Sequence, residues 1–512
     1  MTLKKSILIC LVVFGLFGCN EQKPLQKTQC IKEDTPKELD KKIVKKEPLK
    51  KEIKKSTTID KTKKVVDTNT TKTTKKIDCY PTTTIKRTSI VNSKSNVKDF
   101  DFDIIKKGYK DDNTLLIVGG IQGDEPGGFV AASLIATHYT IKKGSVWVIP
   151  NLNFYSIIKR SRGPYGDMNR KFANLSPKDP EYKIIQRIKN YIVQPEVSFV
   201  VNLHDGSGFY RPKYIDKNHQ PLKWGQSIVI DQDKLDGVKD YGDLASIALK
   251  IKKHINKKLL KKEDIFRVKN THTKLKKTHE EKEMAKTLTF FAITHGKSAI
   301  GHETSKNLSV TKRVYYKLLA LEKIMDIMGI KFERKFQLTQ KGVHKAINDD
   351  IYISLYDDKI KLPLAKIRNR LKYFPVKNDG TIEFIPSNPL MSIIKYNNEY
   401  TLYYGNRRVT RLKADYMDYA TEKKSISLQV DGKDRKIEFG TVVDVKKVFK
   451  IYPIEDYRVN VIGFTNGSKN EINIPITKKQ LQKHYSIDKD GLTYRVEFYT
   501  KNKFAGMILV RF

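Results

Sequence analysis

Gly119 to Gly128 reads GGIQGDEPGG. The apolar run Leu115 to Val118 leads into it and the helix-like segment Phe129 to His138 follows, an order that spells strand, glycine-rich loop and helix start. Loops at strand ends are where active sites collect. Gln122 and Glu125 stand three apart inside the loop, so a turning backbone can aim both side-chain oxygens at one point, as a pair of metal ligands requires. A plain turn has the same look, and the rest of the chain must supply a third ligand, a base and a substrate grip.

Outward from this loop, strand-like runs alternate with helical patterns between Asp99 and about Ile330. Ser145 to Ile149, Val197 to Leu203, Ser227 to Asp231 and Ser298 to Glu303 join Leu115 to Val118 as strands, while Glu181 to Ile192 and Asp243 to Leu260 carry helical spacing. The pattern is that of an α/β sheet with helices packed on it. The third run ends Asn202-Leu203-His204-Asp205-Gly206. If the strands run parallel, His204 reaches the same rim as Gln122 and Glu125; the plainer alternative is a turn histidine bonded to Asp205. Three protein ligands and a fourth position for water is the plan of catalytic zinc sites.

Two further segments complete the set. Ser161 to Phe172, SRGPYGDMNRKF, offers Arg162, Asn169 and Arg170 among turn formers, and a guanidinium fork beside a neutral amide suits a terminal carboxylate. The alternative is a basic loop in a basic protein. Ile300 to Ser305, IGHETS, places Glu303 at the end of the last apolar run, where its carboxylate can take a proton from water and return it to a leaving amine. An ordinary surface glutamate is the competing reading. His302 points to the other side of that strand and is read as structural.

The chain has 512 residues, enough for about three domains. Residues 1–18 have a positive start (Lys4, Lys5), the apolar stretch Ile7 to Leu16 and a small Gly18, which is a secretory signal peptide. Gly18-Cys19 also resembles a bacterial lipobox, with Cys19 as the lipidated first residue. Residues 19–78 form a Lys-rich tether with no aromatic residue, expected to stay disordered because it cannot bury enough surface. Of the four cysteines, none follows Cys79, so the folded region has no disulfide framework. A Cys30–Cys79 bridge and a pair of free thiols both remain open. The net charge of +42 suggests an anionic partner. Export argues against nucleic acid and leaves lipid head groups, surface polysaccharide and peptidoglycan carboxylates; a lysine-rich proteome is the bland explanation.

Taken in order, these pieces resemble the zinc carboxypeptidases of the carboxypeptidase A class (peptidase family M14). Within it they look most like the peptidoglycan DL-carboxypeptidases that determine helical cell shape in Gram-negative bacteria. The likeness spans nearly all of Asp99 to Phe512 and includes GDMNRKF, HDGSGFYRP and the terminal AGMILVRF. The resemblance implies Gln122, Glu125 and His204 as ligands of one catalytic Zn2+, Glu303 as general base, Arg162 as the group that polarises the scissile carbonyl, and Asn169 with Arg170 as the carboxylate clamp. It implies a carboxypeptidase-like mixed sheet with flanking helices, and a periplasmic lipoprotein that removes terminal meso-diaminopimelate from muramyl tripeptide. Gln122 departs from the histidine usual in the wider class, and an amide oxygen is a weaker zinc ligand than imidazole.

After about Ile330 the texture becomes short alternating runs with Asn-Asn, Asp-Gly and Asn-Gly turns: Leu390 to Tyr396, Tyr400 to Tyr404, Ser425 to Val430, Thr441 to Val448, Val459 to Phe464 and Tyr494 to Tyr499. These read as antiparallel strands. The expected organisation is therefore a catalytic domain over 79–330, a small β domain over 331–420 and an immunoglobulin-like β domain over 421–512. The β domains are candidates for holding glycan or a protein partner, or for packing on the enzyme. Two readings compete with the carboxypeptidase: a related zinc hydrolase of small acylated amino acids, and a non-catalytic cell-wall-binding lipoprotein with a degenerate metal site.

Overall fold

Seven strands form the central sheet of the computed structural model, which describes residues 78–92, 95–421 and 425–512. The signal peptide, Cys19, the tether and Cys30 lie outside the described residues. In chain order the strands are β1 (Ile105–Gly108), β2 (Thr114–Val118), β3 (Ser145–Ile149), β4 (Val197–Gly206), β5 (Ser227–Ile230), β6 (Arg267–Asn270) and β7 (Ser298–Ser305). Across the sheet they stand β6-β5-β7-β4-β2-β3-β1. The central four, β7, β4, β2 and β3, are parallel. β1 runs against β3, and β5 runs against β7 while pairing parallel with β6, so the sheet is mixed.

Every residue of β2 and β3 is buried. Parallel strands covered by helices on both faces require such continuous apolar runs. Because β2 and β4 are parallel, the loop after β2 and the end of β4 emerge at one rim, and the pairing of His204 with Glu303 puts the end of β7 there too.

The helix α1 (Pro126–His138) starts directly after Glu125, with Pro126 in the first turn, where its missing N–H is no loss. Helix α2 (Val310–Ile327) packs on α1, and α3 (Gln340–Asn348) packs on α2. Thr339 caps α3 by accepting from Gly342 N, and Val343, Ala346 and Ile347 bury its inner face. Helical structure thus continues past Ile330 to Asn348.

The segment ahead of the central sheet is built into the middle β domain. Arg87–Thr88 pairs antiparallel with Glu383–Pro386, and Ile90–Val91 pairs parallel with Met391–Tyr396. This domain shares one continuous apolar core with the α/β sheet and packs directly on α1. Gly405, with φ of 56°, is needed there: a Cβ would stand 2.8 Å from the Phe129 ring. The buried Asn388 donates to Ser133 Oγ at 3.3 Å. The C-terminal residues form two four-stranded sheets around a separate core, the sandwich expected of an immunoglobulin-like domain.

Besides α3, two features differ from the sequence reading. Thr441 to Val448 is not one strand but Val442–Asp444 and Val448–Ile451, which belong to different sheets. The carboxylate of Asp431 accepts from the backbone N–H of Lys446, Lys447 and Val448 at 2.7 to 3.1 Å and fixes a turn between them. The charged strand Arg407–Met417 lacks clean alternation, yet it pairs antiparallel with Glu399–Tyr404 and parallel with Arg370–Lys377.

Trp147 in β3 is fully buried, with the Lys106 ammonium 3.6 Å from its ring centroid and the rings of Tyr80 and Tyr191 edge-on. Trp147→Ala is expected to cost about 3–5 kcal/mol of stability, read as a lower denaturant midpoint at unchanged slope.

Candidate active site

The loop GGIQGDEPGG folds back on its neighbours closely enough that side chains are excluded at specific positions. A Cβ on Gly123 would meet the Ser156 carbonyl oxygen at 2.0 Å, and one on Gly127 would meet Asp205 Oδ1 at 2.4 Å. The backbone is thereby held against β4, and two of the three polar side chains of the loop turn inward: Gln122 and Glu125 are buried, as is His204. His204 Nδ1 lies 3.2 Å from Gln122 Oε1 and 3.0 Å from Glu125 Oε2. Two ligands at about 2.1 Å from a tetrahedral ion stand about 3.4 Å apart, so these spacings fit a single metal ion with little adjustment. Among the described residues no three His, Cys, Asp or Glu side chains form a metal-binding group; the third donor here is the Gln122 amide.

Asp167 sets the direction of that amide. Gln122 Nε2 donates to Asp167 Oδ1 at 2.7 Å, which leaves Oε1 facing His204. Arg162 grips the other oxygen of Asp167 from Nε and Nη2 at 3.1 and 3.0 Å, and reaches Glu125 Oε1 at 3.3 Å. Burial pushes the Asp167 carboxyl up, but the Arg162 guanidinium, the Gln122 amide, Arg170 and the Asn169 N–H together outweigh it and hold the group below its usual range.

Beneath the site lies a buried charge cluster. Asp205 accepts from Gly127 N (2.7 Å), Arg313 Nη1 (2.7 Å) and Thr304 Oγ1 (2.6 Å), and its other contact is Lys317 Nζ at 3.4 Å. Burial opposes its ionisation, while Lys317 and Arg313, together with the bonds from Thr304 and Gly127, more than compensate and keep its pKa low. Lys317, wholly buried, also donates to the carbonyls of His204 and His302. His302 lies on the opposite face of β7, stacked on Phe266 with ring centroids 5.4 Å apart.

Glu303 is paired across the strands with His204 and lines the same cleft of about 200 Å³. Its Oε2 is buried without a hydrogen-bond partner. Burial, with Glu125 adding repulsion against the pull of His204, raises its pKa to about 7. A carboxylate held this way is a base that lacks only its proton source.

Asn169 and Arg170 sit in a short 3₁₀ turn capped by Asp167. Asn169 Oδ1 accepts from Leu288 N at 3.1 Å and Nδ2 lies 3.4 Å from His204 Nε2; Arg170 faces Glu283 at 3.5 Å. All seven residues singled out in the sequence for metal, base and substrate line this one cleft. The sequence reading missed Asp167, Asp205, Arg313, Lys317 and Lys306. Asp167 and Asp205 were visible as acids next to selected residues, whereas Arg313 and Lys317 looked like ordinary charges on a helix.

Fold and site together define a metallocarboxypeptidase. Residues 90–348 match the family described as the catalytic domain of a carboxypeptidase controlling helical cell shape, residues 350–418 its β-barrel domain, and residues 419–512 the C-terminal domain of metallo-carboxypeptidase. The chain belongs to this family, peptidase family M99. It is similar to the tripeptide-bound cell-shape determinant Csd4 of Helicobacter pylori at 40% identity over 80% of this chain and 100% of that one, with a TM-score of 0.71. The diaminopimelate-bound form of Csd4, a D,L-carboxypeptidase, matches at 38% identity over 83% and 100%, with a TM-score of 0.70. No curated protein sequence matches. The likeness covers all of Csd4 and includes its bound peptide forms, so the non-catalytic reading falls away.

Asp167→Ala is expected to lower metal affinity about tenfold to a hundredfold, because the Gln122 amide loses the bond that orients it. Gln122→His is expected to raise it, imidazole being the better zinc ligand. Competition titration with a zinc chelator reads both.

Proposed function

We propose that the enzyme trims peptidoglycan stem peptides, removing the terminal meso-diaminopimelate from muramyl tripeptide to leave the dipeptide and so contributing to cell shape. The observation that carries this is the single cleft in which Gln122, Glu125 and His204 converge beside the unpartnered Glu303 carboxylate, with Arg162, Asn169 and Arg170 around it. A carboxypeptidase needs those three functions within one substrate length. Similarity to Csd4 in its tripeptide-bound, product-bound and diaminopimelate-bound forms supports the substrate class.

In this reading Gln122, Glu125 and His204 hold one Zn2+. When bound, zinc supplies Lewis acidity to the scissile carbonyl and acidity to a water molecule. Arg170 and Asn169 dock the terminal carboxylate of the substrate, and a bidentate guanidinium contact fixes its orientation. Arg162, already anchored by Asp167, presents its free face to the carbonyl oxygen and stabilises charge that develops there. Glu303 takes a proton from the attacking water and delivers it to the departing amine. The bond cut joins the γ-carboxyl of D-glutamate to the L-centre of diaminopimelate.

Placement follows from the chemistry. The enzyme works in the periplasm, delivered by the signal peptide over residues 1–18 and anchored through lipidated Cys19. Among the described residues no helix is long and apolar enough to cross a membrane. We assign the catalytic domain to 79–348, because α3 packs on the catalytic helices, and the β domains to 349–420 and 421–512, so the boundary expected near Ile330 moves to Asn348. The middle β domain serves as a buttress for α1. Of the four cysteines, Cys79 is disulfide-bonded and the other three lie outside the described residues.

Incubation of the full-length protein and Zn2+ with muramyl tripeptide and tetrapeptide, read by mass, is expected to release diaminopimelate from the tripeptide alone. An unchanged tripeptide contradicts the proposal. Glu303→Gln is expected to cost about 10²–10⁴ in kcat. The pH profile follows from the same group. Only ionised Glu303 accepts a proton, so the rate falls as pH drops through its pKa, which lies at about 7 before any cation is added. A bound cation favours the ionised form and moves the acid limb of kcat/KM below that value.

A further inference from the structure

The cleft has two ends. At one end Asn169 and Arg170 meet Met284 and Thr289, with Glu283 behind Arg170. At the other, Lys306 N donates to Gly206 O at 2.8 Å and Trp224 N to Ser207 O at 3.2 Å, gathering Gly206, Ser207, Trp224 and Lys306 around the exit of β4. A peptide whose terminal carboxylate is docked on Arg170, with its scissile carbonyl beside Arg162 and Glu303, carries its acyl residue toward this second end.

Lys306 is the cation there that the reaction leaves unused. Its ammonium lies 2.6 Å from Asp124 Oδ2 and 3.7 Å from Glu125 Oε1, and its side chain is 31% exposed. An ammonium has three donors, and the pair with Asp124, itself 33% exposed, is weak enough to be shared. Arg162 is different: three of its five N–H donors go to Asp167 and Glu125, and the proposed reaction uses what remains at the scissile carbonyl.

We infer that Lys306 is a specificity-determining residue that binds a free carboxylate on the acyl-side residue of the substrate. This inference rests on the proposed γ-glutamyl substrate. A glutamyl residue linked through its γ-carboxyl keeps its α-carboxylate free, three carbons from the scissile carbonyl, whereas an α-linked residue with a neutral side chain has no anion at that position. Lys306 therefore selects for an acyl residue that keeps a free carboxylate, as γ-linked glutamate does. It also discriminates against stem peptides in which that α-carboxylate is converted to the neutral amide.

The test compares kcat/KM on two tripeptides that differ only at that group, one with γ-linked D-glutamate and one with its α-carboxamide. The parent enzyme is expected to prefer the carboxylate by about tenfold or more, the worth of a charge-assisted hydrogen bond. Lys306→Arg retains the preference, and Lys306→Met brings the ratio to near one, mainly through a higher KM for the carboxylate peptide. A parent that does not discriminate, or a Lys306→Met enzyme that loses rate on both peptides with the ratio unchanged, overturns the assignment and leaves Lys306 as a counter-charge to Asp124 and Glu125. A parent that cleaves neither peptide overturns the substrate reading and this inference with it.

Discussion

The buried carboxylate of Asp205 is the interaction on which the site depends. It receives the backbone of Gly127 at the start of α1, the guanidinium of Arg313 and the ammonium of Lys317 on α2, and the hydroxyl of Thr304 on β7. Those elements carry, or adjoin, Glu125, His204 and Glu303. A buried charge left without its partners costs about 3–5 kcal/mol, so the four elements are locked in one arrangement. Precise placement of weak donors such as the Gln122 amide is only useful on a base this rigid.

Around that cluster the site is arranged in layers. Asp167 directs Gln122 and anchors Arg162, joining the proposed metal ligands to the guanidinium proposed to stabilise the oxyanion through one carboxylate. Orienting partners behind metal ligands are worth about tenfold to a hundredfold in metal affinity, and in the proposed site they work against an unfavourable ligand choice. The middle β domain belongs to the same scheme, because its contacts with Phe129 and Ser133 hold the helix that begins at Glu125.

Much of this was legible in the sequence. The parallel core strands announce themselves as unbroken apolar runs, and the glycine loop marks the rim where they end. Arg162, Asn169, Arg170, His204 and Glu303 could be selected because each follows a strand or sits in a turn, and the family resemblance assigned their roles. Arg313 and Lys317 could not, since a helix that buries two cations looks the same in sequence as one that displays them. Their partner, Asp205, is contributed by a strand more than a hundred residues away. The split of Thr441 to Val448 escaped for a similar reason, as its cause is a side chain at Asp431. The segment Arg87–Val91 was hidden by brevity: two residues in each of two sheets carry no periodic signal.

X-ray absorption at the zinc edge tests the central claim most directly, because it counts imidazole ligands without reference to activity. A protein that uses Gln122, Glu125 and His204 yields one imidazole nitrogen with the remaining donors oxygen. A spectrum with two or more imidazoles, or with sulfur, contradicts the account and places the metal elsewhere.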